Sequence, residues 1–148
     1  RGYMAGKRRF FYGLRLHVVI DVAGCPVEFA IEPGSVADIT AMKRMSIDLP
    51  DGATLYADKA YTDYRLEDLM ADPEAGQLKL FAHRRAKSTR LHPPYLTFLA
   101  ETYRKRVETA FSLIAARLPK HIHAVTARGF ALKAVLFLIA FAVVRFGR

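Results

Sequence analysis

The spacing of apolar positions divides the chain into short extended runs followed by helical ones. Residues 10–20 (FFYGLRLHVVI) alternate with period two, and Leu14, Leu16, Val18 and Ile20 share one face, which predicts a strand. Asp21–Pro26 carries Gly24 and Pro26 and reads as a turn. Val27, Phe29 and Ile31 then alternate with Glu28, Ala30 and Glu32, a second strand that closes an antiparallel hairpin with the first. Pro33-Gly34 ends it. Ser35, with Asp38 three residues on, resembles a capping box and predicts a helix to about Leu49. Residues 53–58 form a short buried strand, and Asp63 caps a helix bearing Leu66, Leu69 and Met70. That helix ends in Asp72-Pro73-Glu74-Ala75-Gly76, and Gln77–Ala82 reads as another strand. Pro93-Pro94 opens a long helix to about Leu118, with an apolar stripe of Leu99, Val107, Phe111, Ile114 and Leu118. A final helix covers 129–146. The order β-β-α-β-α-β-α-α predicts an α/β fold, a mixed sheet with helices on its faces.

Composition fits one domain with a real core: 148 residues, 52% hydrophobic. The formal charge is +9, and its distribution says more than its size. Residues 21–74 hold 12 of the 14 acids and four Lys or Arg, a net of −8. The remainder carries 19 basic residues against two acids, a net of +17, and points to a polyanionic partner. Cys25 is the single cysteine, so there is no internal disulfide; it reads as a small buried hydrophobe beside a turn. Ala134–Val144 is an unbroken apolar run of 11 residues bounded by Lys133 and Arg145. That run is short for a bilayer, so it reads as a core helix and a membrane is not an expected partner.

The candidate chemistry is carboxylate chemistry. His17, His83, His92, His121 and His123 show no metal-ligand spacing, with His17 read as a strand-surface histidine. There is no phosphate-binding glycine loop and no nucleophile elbow. Asp58 ends the strand Leu55-Tyr56-Ala57, and in open α/β sheets ligands bind at the carboxyl ends of strands. Glu108 borders the apolar stripe of the long helix, one turn after Arg104. Each acid also has a plainer reading: Asp58 as a turn cap, Glu108 as the surface partner of Arg104, Asp38 as a first-turn acid. Residues 83–92 form a loop with Arg84, Arg85, Lys87 and Arg90 and no acid, suited to phosphate contact, as is Arg104-Lys105-Arg106.

These segments, taken in order, resemble the catalytic domain of bacterial insertion-sequence transposases of the DDE class. Phe11-Tyr12-Gly13-Leu14-Arg15-Leu16-His17 resembles that family's Tyr-Gly-x-Lys-x-His strand. Ile31-Glu32-Pro33-Gly34-Ser35-Val36-Ala37-Asp38 resembles its Pro-Gly-Asn-x-x-Asp segment. Ala57-Asp58-Lys59-Ala60-Tyr61 resembles its Asp-Lys-Gly-Tyr segment, and Arg104-Lys105-Arg106-Val107-Glu108 its Arg-x-x-x-Glu element. The resemblance implies an RNase H-like fold, with Asp58 and Glu108 as catalytic ligands of two Mg²⁺ (or Mn²⁺) ions. Lys59 and Arg104 become phosphate-holding or orienting groups. It also implies DNA cleavage and strand transfer, insertion-sequence ends and target DNA as partners, a homodimer in the full-length protein, and a cytoplasmic, nucleoid-associated location.

Some positions depart from the pattern. Ala60 stands where the family has Gly, Glu101 where it often has Tyr, and Ala115 where a Lys commonly follows the Glu. The family's first Asp precedes the Tyr-Gly strand, yet the first acid here is Asp21, in the hairpin turn. The first strand and its Asp are therefore expected outside residues 1–148, leaving a fragment with two of three ligands and no activity of its own. Two other readings stay open: a non-catalytic DNA-binding remnant, and a metal-dependent RNase H-type nuclease.

Overall fold

A computed structural model describes residues 2–4, 8–11, 13–75, 77–119 and 122–147. Tyr12, Gly76 and His121 lie outside the described residues. The chain groups into two compact units, one of residues 1–35 with 106–148 and the other of residues 36–105.

In the first unit, β1 (Gly2–Met4) and β2 (Arg9–Phe11) form a small antiparallel pair. The next pair, β3 (Leu14–Ile20) and β4 (Pro26–Pro33), is the expected hairpin, running from Leu14↔Pro33 to Ile20↔Pro26 with an irregularity between Val19 and Ile20. Its turn is held by Asp21, whose Oδ1 accepts from the N–H groups of Ala23 and Cys25 at 2.8 and 2.9 Å. Gly24 supplies the left-handed conformation there, at φ +87°. The period-two reading needs one correction. His17, read as a strand-surface residue, is 4% exposed, while Val18 on the opposite face packs beside Ile114, Leu138 and Phe141. Both faces of β3 are therefore covered at this point.

The helical core of this unit joins the C-terminal half of α3 (Pro94–Arg117) to α4 (Ala127–Phe146), which Thr126 caps by accepting from the Gly129 N–H at 3.0 Å. The core-helix reading of α4 holds at Leu138 and Phe141 only. Leu136, Ile139, Val143 and Val144 are exposed. With its flanks, the 11-residue apolar run becomes a 20-residue helix, long and apolar enough by length and composition to cross a membrane.

In the second unit, α1 (Asp38–Arg44) is shorter than expected and starts later. Its N-cap is Ala37, with no side-chain hydrogen bond, so Ser35 is not the cap; Asp38 sits in the first turn, where its charge favours the helix dipole. The helix stops at Met45 because Ser46, Ile47 and Asp48 are weak helix formers and Pro50 disfavours helical backbone before it. β5 (Thr54–Ala57) runs parallel to β6 (Lys79–Ala82) through a crossover containing a 3₁₀ turn (Lys59–Tyr61) and α2 (Tyr64–Met70). Leu78, Leu80 and Ala82 are buried at alternate positions, the signature of one covered sheet face. Tyr56 packs on Phe81 and on Tyr103 of α3, at ring-centroid distances of 5.9 and 4.8 Å, which docks the first half of α3 on this pair.

Among the described residues the strands form three separate two-stranded sheets. The α/β class is as expected; a single continuous mixed sheet is not seen in these residues.

Candidate DNA-processing site

Asp58 follows β5 directly, at the carboxyl end of the parallel pair. Ala57 is in register with Ala82, so Asp58 and His83 are neighbours across that edge, and the His83 N–H to Ala57 carbonyl bond of 2.8 Å extends the ladder to it. Asp58 is exposed, and its Oδ1 accepts from the Lys59 N–H at 2.7 Å, capping the 3₁₀ turn. The Thr62 hydroxyl donates to the Lys59 carbonyl at 3.0 Å and fixes the turn from its other end. Lys59 projects into solvent. The cap reading of Asp58 is thus real, and it leaves the second carboxylate oxygen at an accessible edge.

The crossover helix is set by its own cap. Asp63 accepts from the N–H groups of Arg65 and Leu66 at 3.1 and 3.2 Å. Its other oxygen meets Lys43 of α1 at 2.5 Å, and this hydrogen bond, then the Leu66 N–H, holds the carboxyl below its ordinary pKa.

The basic loop after β6 is less free than its sequence suggests. Arg84 donates from Nη1 and Nη2 to the two oxygens of Glu67 at 2.6 and 2.5 Å, and the paired side chains are 8% and 10% exposed. Arg90 donates to Asp68 at 2.7 Å. Both guanidinium carbons lie 4.9 Å from the ring centre of Tyr64, whose hydroxyl has its pKa lowered by hydrogen bonds with Thr89 and Ser88. Arg85 and Lys87, between the two anchors, are exposed. Arg84, expected with them as a phosphate contact, directs both terminal nitrogens of its guanidinium to Glu67. The reason is periodic: residue 84 continues the inward series 78, 80, 82, and residue 85 falls on the outer side. Sequence reading missed Glu67, because the apolar spacing Leu66, Leu69, Met70 pointed to another face, and Leu69 is 62% exposed.

On α3, Arg104, Lys105 and Arg106 are exposed, and Arg106 also donates to the Val22 carbonyl at 3.0 Å, tying α3 to the hairpin turn. Glu108 is exposed one helical turn after Arg104. Asp58 belongs to the unit of residues 36–105 and Glu108 to the other. Among the described residues no group of three or more His, Cys, Asp or Glu gathers as a metal site. Asp21 is spent on its turn, and burial, then the Asp21 carboxylate, pushes the Cys25 thiol up and away from nucleophile chemistry.

The second unit thus carries an accessible carboxylate at the carboxyl edge of a parallel strand pair, followed after β6 by a loop with exposed Arg85 and Lys87. The chain matches the family model described as Transposase DDE domain over residues 1–144 and belongs to that family. It is a transposase domain: its function class is DNA transposition, its partner is DNA, and its family works with divalent metal ions. No curated protein and no solved structure matches the chain.

Proposed function

We propose that residues 1–148 supply two of the three carboxylates of an RNase H-like DDE site that cleaves insertion-sequence ends and joins them to target DNA. The observation that carries this reading is the exposed Asp58 at the carboxyl edge of β5–β6, in a chain of the transposase DDE family. Carboxylate oxygens are the donors that Mg²⁺ or Mn²⁺ prefers, so Asp58 and Glu108 each suit the metal by chemistry. Bound there, such ions would activate an attacking oxygen and stabilise a leaving one during in-line displacement at phosphorus. The protein's own cations do the rest. Lys59, Arg85, Lys87, Arg104 and Lys105 hold and align the phosphate backbone, while Arg84 shapes the loop that carries two of them. The whole protein acts as a homodimer on nucleoid DNA in the cytoplasm.

The test compares residues 1–148 with the full gene product that contains them, using Mg²⁺ and insertion-sequence end DNA. The full product cleaves and joins, Asp58→Asn or Glu108→Gln abolishes both, and residues 1–148 alone bind DNA without nicking it. Asp58-dependent joining by residues 1–148 alone overturns the two-of-three assignment. Binding without cleavage by the full product favours a non-catalytic DNA-binding role, and cleavage without joining favours an RNase H-type nuclease.

A further inference from the structure

The loop at residues 83–92 carries four Lys or Arg and no acid, yet two of those cations are spoken for. Arg84 and Arg90 bracket it and reach back to Glu67 and Asp68, neighbours on α2, with Tyr64 one turn earlier under both guanidinium groups. Between the brackets the backbone closes a turn: the Ser88 N–H donates to the Arg85 carbonyl at 3.0 Å, and the Arg85 N–H donates to Ser88 Oγ at 3.1 Å. His92 closes the far end by its contact with the Ala82 carbonyl at 2.9 Å. What remains pointing outward is Arg85 and Lys87.

We propose that Glu67 is a positioning residue for DNA binding: its fork on Arg84 holds the loop so that Arg85 and Lys87, and not Arg84 or Arg90, meet the phosphate backbone beside Asp58. This inference rests on the reading that the loop faces DNA. Glu67 touches no DNA, and as an anion near a polyanion it opposes binding through charge alone. Its contribution is geometric, so removing it has the opposite sign to a simple charge effect. A flexible loop would have to be ordered on each binding event; a clamped one is ordered already. The clamp also sets a count. Two phosphate contacts contribute about 1.8 to the slope of log K against log salt, whereas four would contribute about 3.6.

The experiment measures duplex DNA binding by residues 1–148 across a salt series, by fluorescence anisotropy, with far-UV circular dichroism confirming the fold of each variant. Joint Arg85→Ala and Lys87→Ala lowers the slope by about 1.8. Glu67→Gln weakens binding and lowers the slope toward the same value, and adds nothing on the Arg85→Ala, Lys87→Ala background. Arg84→Lys keeps the charge but loses the fork, and it too lowers the slope. A folding defect would not erase itself on that background, so the lack of additivity separates positioning from stability. Should Glu67→Gln fail to fold, Arg84→Lys decides, together with amide hydrogen exchange that rises at Arg85 and Ser88 while β6 stays protected. Tighter binding by folded Glu67→Gln, or an unchanged slope in Arg84→Lys, overturns the clamp while leaving the DNA reading intact. No binding by the wild-type chain at low salt overturns the DNA reading, and the clamp with it.

Discussion

Glu67 and Arg84 meet in a two-pronged ion pair, at 2.6 and 2.5 Å, that joins helix α2 to the first residues beyond β6. Both oxygens of the carboxylate and both terminal nitrogens of the guanidinium are used, the geometry in which Arg differs most from Lys. Such a pair repays its desolvation only while both partners are present. The net gain from the pair over an apolar replacement is therefore small, yet either residue alone is costly to remove.

Glu67→Ala leaves Arg84 nearly buried without its counter-charge. We expect a loss of about 3–5 kcal/mol, read as a fall in the urea midpoint with the slope of the transition unchanged. The joint replacement Glu67→Met, Arg84→Met, apolar and similar in volume, stays close to wild type in stability. Equal losses in the single and joint variants would mean that packing, not charge, governs the site.

Asp63 links the start of α2 to Lys43. Asp63→Ala removes a cap and costs about 1 kcal/mol. The pH dependence follows from the direction of its shift. The Lys43 hydrogen bond, then the Leu66 N–H, lowers the folded-state pKa below the unfolded value of about 3.9. The ionised form is thus favoured by folding, and this contribution is complete above the unfolded pKa and fades as pH falls through the lower, folded one. Denaturation of wild type and Asp63→Asn from pH 7 to pH 2 should converge at the acid end. A gap between them that stays constant throughout would sink the assignment.

The elements governed by local rules were legible in the sequence. Gly24 and Pro26 between two alternating runs gave the β3–β4 hairpin, Pro93-Pro94 gave the start of α3, and Asp63 gave the cap of α2. What escaped depends on partners far along the chain. Glu67 is buried because Arg84, 17 residues later, meets it, and no helical period encodes that. Ser35 had the spacing of a cap, but β4 runs to Pro33 and the helix begins only after Ala37, so the motif fell in the connecting turn. At the site, Asp58 was placed by the strand that carries it. The phosphate roles were read from charge alone, and charge does not say which side of a strand a guanidinium leaves; the alternation of Leu78, Leu80 and Ala82 does.

Gly24 holds the hairpin turn at φ +87°. A Cβ there would lie 3.9 Å from the Ala110 Cβ, an ordinary contact, so Gly24→Ala meets no clash. The cost is backbone strain alone, about 1–2 kcal/mol. Replacement by D-alanine, which favours positive φ, should recover it. If D-alanine were as destabilising as L-alanine, the positive φ would not be the cause.

Asp58 does two jobs that a pair of substitutions can separate. Its Oδ1 caps the 3₁₀ turn through the Lys59 N–H, and its carboxylate charge is what a divalent ion requires. Asp58→Asn keeps an oxygen able to accept from Lys59 and removes the charge. Its stability should stay within about 0.5 kcal/mol of wild type, as for a surface change that preserves a hydrogen bond. Asp58→Ala loses the cap as well and should cost about 1 kcal/mol. In the full gene product both variants should lose metal-dependent cleavage to the same extent while still binding DNA, because the phosphate contacts are made by other residues. Cleavage that survives in Asp58→Asn, with only the alanine variant inactive, would mean that Asp58 matters for its turn and that the metal is held elsewhere.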